Sequence, residues 1–342
     1  MDWSLDKEAK EKIILEHWQS KTDREIATIL QGQFPKESVT AKAVECYRQK
    51  HMKLIKQKGG YAKAHKLVRT AINLQKIYKE QSYIKTEIAY KIENPSRWTG
   101  VVFSGDWHIE GSNCDIKKLE KDIQDIGKIP NLYFCFMGDG CDNFVGNLAT
   151  SQFDTVFPPR IARHLFFLFL YSIQTKLIAL LSGDHEWFSL HIDDFDMMSD
   201  YAKRLKIAYL GPGGMIELQV GKIKYFIQVR HRYRYNSSYN PLHTCRQFLR
   251  FEDSLPDAVF IAHNHINAIG LEEFLGKIRL FGRTGTYKIG DRYAQRKSYL
   301  PKKSVTNLPV ALFCAEKKEM RIASSIEEAK EYLEFLNKEG GA

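Results

Sequence analysis

No stretch of this 342-residue chain is apolar for long enough to cross a bilayer. The greasiest run, His164-Leu165-Phe166-Phe167-Leu168-Phe169-Leu170-Tyr171, is flanked by Arg163 and Lys176 and falls well short of the ~20 residues a spanning helix needs. It reads as a buried helix feeding the strand after it. The start, Met1-Asp2-Trp3-Ser4-Leu5-Asp6, has neither the basic nor the apolar stretch of a secretory signal. Cysteine is scarce, with 6 residues and no C-x-x-C pair, which argues against a disulfide framework or a thiolate zinc site. Cys135 and Cys141 fit small apolar packing better than a bridge. Internal repeats and low-complexity tracts are missing too, which excludes solenoid and collagen-like designs. These absences predict a soluble, cytoplasmic protein with no membrane partner, and the length allows one large domain or two.

What the chain does have is an ordered set of acids and imidazoles, each closing a short apolar run. Val101-Val102-Phe103 leads into Gly105-Asp106-Trp107-His108, and Leu132-Tyr133-Phe134-Cys135-Phe136 leads into Gly138-Asp139. Leu177 to Leu181 runs into Gly183-Asp184-His185, Tyr225 to Val229 leads to His231, and Ala258 to Ile261 leads to His263-Asn264-His265. Buried strands that end in such side chains are how an α/β protein assembles a site at one edge of its sheets. A single His or Asp is more often structural than a ligand. Here, however, His108, His185, His231, His263 and His265, out of 11 histidines, all fall at these strand ends. Carboxylate oxygen suits hard cations and imidazole suits Zn, Mn, Fe or Ni, so a mixed set can hold two divalent ions.

In these blocks the chain resembles the calcineurin-like metallophosphoesterase superfamily, whose signature is D-x-H, G-D, G-N-H-D/E, an isolated His, and G-H-x-H. The resemblance runs from Ser96 to Glu319, about two thirds of the chain. It implies a four-layer α/β/β/α sandwich in an α/β fold, and two divalent metal ions, Mn2+ first with Zn2+, Fe2+ or Ni2+ as alternatives. Carried over residue by residue, Asp106, His108 and His265 would hold one ion. Asp184, His231 and His263 would hold the other, with Asp139 bridging. His185 matches the family's histidine that faces the leaving group, and its alternative reading is a ring that only props the site. Asp142 is a candidate partner for a ligating imidazole, or else a turn-capping carboxylate. Two positions depart from the pattern. Ala262 replaces a glycine and asks only that its backbone avoid positive φ. Asp184 replaces the family's Asn and adds a negative charge, which should tighten cation binding and weaken attraction for a phosphate.

The first 58 residues read differently. Lys7 to Trp18 has helical spacing with Asp6 as a possible cap, and Thr22-Asp23-Arg24-Glu25 is a capping-box pattern opening a second helix. Ser38 or Thr40 could cap a third, which carries Val44, Tyr47 and Met52, with Lys42, Arg48, Lys50 and Lys53 on its other faces. This resembles a helix-turn-helix or Myb-like module, whose last helix enters the DNA major groove, which makes those four cations DNA-binding candidates. The alternative is a helical docking domain with a solvated basic face. Gly59-Gly60 is expected to break the third helix. Residues 59–95 are expected to form a basic helical linker, 96–320 the phosphoesterase domain and 321–342 a C-terminal amphipathic helix.

Charge supports a polyanionic partner. Thirteen Lys and Arg against three Glu lie between Lys42 and Lys91, a surplus equal to the formal +10 of the whole chain. Arg232 and Arg234 beside His231 are candidate substrate clamps, and a second basic stretch with interleaved tyrosines runs from Lys277 to Lys303. The expected function is a two-metal phosphodiesterase acting on nucleic acid, DNA first, that is, a nuclease. Two other readings stand beside it. One is a phosphomonoesterase or small-molecule phosphodiesterase with a docking module. The other is a DNA-binding protein with a vestigial metal site. The sequence leaves the oligomeric state open.

Overall fold

The computed structural model describes residues 6–18, 20–81, 84–145, 154–237, 239–290 and 307–338, without the side chains of 52–63 and 78–81. Two compact units divide the chain, Met1–Ser82 and Tyr83–Ala342.

The first unit has three helices, α1 (Lys7–His17), α2 (Asp23–Gln33) and α3 (Ala41–Gln81). Ile13 and Ile14, Ile26 and Leu30, and Val44 and Tyr47 point inward from the three helices and form their shared core. The Thr22 hydroxyl accepts from the backbone N–H of Glu25, and the Glu25 carboxylate accepts the N–H of Thr22 at 2.7 Å, closing a capping box at α2. Thr40 caps α3 by accepting the Ala43 N–H, whereas the Asp6 side chain makes no capping bond. Buried Tyr47 donates to Glu11 at 2.6 Å, tying α3 to α1.

Gly59-Gly60 does not break α3, which continues through both residues to Gln81. Each helical glycine costs about 1 kcal/mol against alanine, and the neighbouring Lys, Gln and Ala residues favour the helix. Residues 59–81 extend α3, where all side chains from Ala64 to Ile77 are exposed. Residues 87–92, expected to be helical in part, form a strand.

The second unit contains two six-stranded sheets. The first has β2 (Trp98–Ser104), β3 (Leu132–Phe136), β4 (Leu177–Leu180) and β5 (Ala208–Tyr209) parallel to one another, with β11 (Val310–Cys314) and β12 (Met320–Ala323) added antiparallel beside β2. The second runs in the order β1 (Glu87–Ile92), β6 (Gly213–Val220), β7 (Ile223–Arg230), β8 (Ala258–Ile261), β10 (Lys277–Thr284), β9 (Asn267–Phe274).

Alternate residues of β2 sort to opposite faces, as strand geometry requires. Val101 and Phe103 join Ile216, Tyr225, Ile227 and Phe260 in the core between the sheets, where Phe103 and Phe260 stack at 3.6 Å. Trp98 and Val102 face the other way, onto α4 (Ile116–Lys128), α5 (Pro159–Ser172), α7 (Met197–Leu205) and α9 (Ile326–Lys338) through Ile123, Phe166, Tyr201 and Leu333. The outer face of the second sheet, through Val259, Ile261 and Phe281, is covered by Cys245, Phe248 and Leu249 of α8 (His243–Phe251). The order of layers is α/β/β/α. A short α6 (Trp187–Asp193) follows β4.

Register brings the strand ends together. Ser104 pairs with Phe136 and Phe136 with Leu180 in the first sheet, and Arg230 pairs with Ile261 in the second. Each partnership is parallel, so residues just past β2, β3, β4, β7 and β8 emerge at one edge of the sandwich. No helix of the described residues is long and apolar enough to cross a membrane. The six cysteines are free thiols.

Candidate metal centre

The loops after these strands are held in a conformation that L-residues rarely adopt. Asp106, His108, Asp139, His263 and His265 have φ of 52°, 48°, 56°, 72° and 57°, a cost accepted where neighbouring structure over-determines the backbone. That structure is visible. Asp106 N–H donates to the Gly138 carbonyl at 2.8 Å, Trp107 N–H to that of Asp139 at 2.7 Å, and His263 N–H to the Asp106 carboxylate at 2.9 Å. Glycine is required where the loops cross. Gly138 has φ 93°, and a Cβ on Gly183 would lie 2.1 Å from Asp139 Oδ1.

Two acid–imidazole clusters result. Asp106, His108 and His265 form one and Asp139, His231 and His263 the other; His108, Asp139 and His185 overlap both. Within each group the potential ligand atoms lie within 4.8 Å of one another. Nε2 of His108 faces Nε2 of His265 at 3.1 Å, and His231 Nε2 lies 3.1 Å from Asp139 Oδ2. Asp106 Oδ1 and His263 Nδ1 are buried without a hydrogen-bond partner. Buried polar atoms are seldom left so, and acid oxygens and imidazole nitrogens converging in this way are the donor set a divalent cation takes. The residues fit two such ions.

Supporting side chains orient the rings. Nδ1 of His231 donates to the Met137 carbonyl at 2.8 Å, which turns Nε2 toward Asp139. Asp142 Oδ1 accepts from His108 Nδ1 at 2.8 Å and from Lys288 Nζ at 2.9 Å, while the Asp142 carbonyl accepts from His185 Nδ1 at 2.7 Å. The Glu186 carboxylate takes three backbone N–H groups, of Asp139 at 3.0 Å, Gly140 at 2.9 Å and Gly183 at 2.6 Å. Lys288 and Glu186 are what sequence reasoning missed. Glu186 sits inside a motif block and offered a signal, whereas Lys288 lies in the second basic stretch, where nothing marks it as the partner of Asp142.

Asp184, expected on the second ion, stands at the second cluster with its side chain open to solvent. Its side chain is 43% exposed, and its Oδ2 is bound by Arg232 Nη1 at 2.9 Å, with His263 Nδ1 farther off at 3.5 Å. It stands beside the second cluster, outside the two groups of three. The charge it adds is met by a guanidinium that no local pattern announces. Arg232 is thus occupied with Asp184, and Arg234 lies among aromatic rings, 5.1 Å from Tyr235 and 5.5 Å from Phe251.

In the first unit, Arg48 is structural. It is ion-paired with Asp23 and donates to the Trp18 carbonyl at 2.9 Å, which takes it from the set of free basic groups. Lys42 is 78% exposed beside Glu45, and Lys50 is exposed. The Lys53 side chain and the basic stretch from Arg292 to Lys303 lie outside the described residues.

Electrostatics follow from burial. Burial, with Lys288 behind it, holds His108 down at about 4, so its ring is neutral at pH 7. Burial would raise Asp142, but His108 and Lys288 outweigh it and keep that carboxyl below the usual range. Burial pushes Asp106 up to about 7, with His231 opposing. Burial and the charge of Asp139 push Glu186 up to about 7, against its three N–H donors. For His231, burial disfavours the charge, but Asp139 outweighs it and raises the ring to about 10. The metal-free ring is therefore protonated at pH 7, and an incoming cation must displace that proton, so affinity rises with pH. Calorimetric titration with Mn2+ at pH 7 should release at least one proton per chain, read from the dependence of the heat on buffer. A heat independent of buffer would refute this.

No family model and no curated protein matches the chain. Among solved structures it is similar to Vacuolar Protein Sorting 29 from Cryptosporidium parvum, at 13% identity over 66% of this chain and 96% of that one with a TM-score of 0.33. It is also similar to a single mutant of Vps29 from Entamoeba histolytica (11%, 66% and 97%, TM-score 0.33) and to a hypothetical protein from Pyrococcus horikoshii (11%, 71% and 95%, TM-score 0.32). Scores this low leave the chemistry to the side chains themselves, which form two adjoining acid–imidazole clusters suited to a pair of divalent cations.

Proposed function

We propose that this chain is a calcineurin-like metallophosphoesterase that hydrolyses phosphodiesters with two divalent cations, and that its substrate is DNA. The observation that carries the reading is the pair of adjoining clusters with partnerless buried ligand atoms at one sheet edge. Asp106, His108 and His265 would hold one ion and Asp139, His231 and His263 the other, with Asp139 the acid between them. Bound there, such ions supply Lewis acidity toward the phosphoryl oxygens and a water acidic enough to attack near neutral pH.

The chain's own contribution is orientation and a proton. His185 Nδ1 is engaged by the Asp142 carbonyl at 2.7 Å, so Nε2 is the atom left to protonate a departing oxygen. The ring is packed against His108 at 4.8 Å and Phe188 at 5.0 Å, which limits its rotation. His185→Ala should keep its metal and lose about 10²- to 10⁴-fold in kcat, least on esters of acidic phenols that need no proton. A variant as fast as wild type on an alkyl diester would remove His185 from the mechanism.

DNA as substrate is supported by the +10 formal charge and by its concentration between Lys42 and Lys91, next to a three-helix module. The test is cleavage of end-labelled single- and double-stranded DNA by Mn2+-loaded protein, with an aryl diester and an aryl monoester alongside. Turnover of the esters with intact DNA would move the substrate to a small phosphoester. Stable binding of DNA with no turnover of anything would favour a vestigial centre.

A further inference from the structure

A cavity of about 310 Å³ opens between the start of α5 and α7. Its rim carries Arg160, Arg163 and Arg204, against a single carboxylate, Asp200, and its wall includes Phe167 and Tyr201. The three guanidinium groups differ in commitment. Arg163 is fixed, donating to Asn143 Oδ1 at 2.6 Å and Ser189 Oγ at 2.7 Å. Arg204 lies over Phe167, its Cζ 3.8 Å from the ring centre, with a 3.5 Å contact to Asp200 and its side chain 53% exposed. Arg160 is exposed and has no hydrogen bond or ion pair among the described residues. The first turn of α5 has no acidic residue and no side-chain cap, so its partial positive charge adds to theirs.

Such a rim has the chemistry to hold a phosphate. Guanidinium forks match phosphate oxygens in pairs, and the contact with Phe167 restrains Arg204. The cavity is also wired to the reaction centre. Arg163 holds Asn143, and Asn143 Nδ2 donates to the His185 carbonyl at 2.8 Å. We propose that this cavity binds a phosphate other than the scissile one in a polynucleotide, so that the chain acts on strands carrying several phosphates in preference to isolated esters. The proposal rests on the phosphoesterase reading for the word scissile, while the binding itself does not.

The full chain, stripped of metal with chelator, is titrated with the dinucleotide pTpT. Wild type should bind it with a salt dependence, and Arg160→Glu and Arg204→Ala should each weaken binding about 10-fold, the scale of one charge-assisted hydrogen bond. Arg160 is exposed and unpaired, so its variant should unfold at the wild-type temperature even if Arg204→Ala does not. Equal affinity in wild type and Arg160→Glu, or no wild-type binding, would overturn the site. So would displacement of pTpT by oligoglutamate at equal charge, which would mark a docking site for acidic protein. Turnover of an aryl diester by Mn2+-loaded wild type is measured separately. If it is absent while pTpT binding depends on Arg160, the phosphate site stands and the phosphoesterase reading fails alone.

Discussion

Asp139→Asn should lose bound metal and about three orders of magnitude in kcat/KM on an aryl diester, because the Lewis-acid contribution of such a centre is several kcal/mol. Asp139 is 2% exposed, its Oδ1 accepts the His185 N–H at 2.9 Å, and its Oδ2 faces His231 at 3.1 Å. It belongs to two of the three clusters at the centre, and no other carboxylate does. Asparagine keeps the volume and one acceptor oxygen but removes the charge that draws cations into a buried site. The variant should therefore stay folded while its metal content, by elemental analysis, falls below one ion per chain. A variant that keeps two ions and the wild-type rate would end the role of Asp139 as the shared ligand.

The largest effect on stability should come from Asp142→Ala. The Asp142 side chain is 1% exposed and is the partner of Lys288, itself 8% exposed, as well as of His108. Removing it takes away a carboxylate held 2.9 Å from a buried ammonium, and truncating one partner of such a pair costs about 3–5 kcal/mol. It also frees Nδ1 of a candidate ligand, for which a 10–100-fold loss of metal affinity is the usual order. Denaturant unfolding of the metal-free chain and metal titration read the two effects separately. Adding Lys288→Met to the alanine variant should return much of the stability and none of the affinity. A single-variant loss under about 1 kcal/mol would mean that water already solvates Lys288, and the buried-pair argument would fail.

The sequence alone determined where each candidate ligand stands. Each belongs to a local unit, a short apolar run closed by an acid or imidazole, so periodicity reveals both the strand and its end. The capping box at Thr22 and Glu25 was legible for the same reason, because its two residues are three apart. Tertiary structure alone decided the partners. Lys288 meets Asp142 across 146 positions, Arg48 is consumed by Asp23 across 25, and Arg232 neutralises Asp184 across 48. A local pattern records which face of an element is buried, but not which distant charge will lie opposite. That choice follows from sheet order and strand register, which are settled by packing over the whole core. The same holds for Gly59-Gly60, where local propensity argued for a break and α3 runs on, and for β1, whose hydrogen bonds with β6 claim a segment that its own residues left as linker.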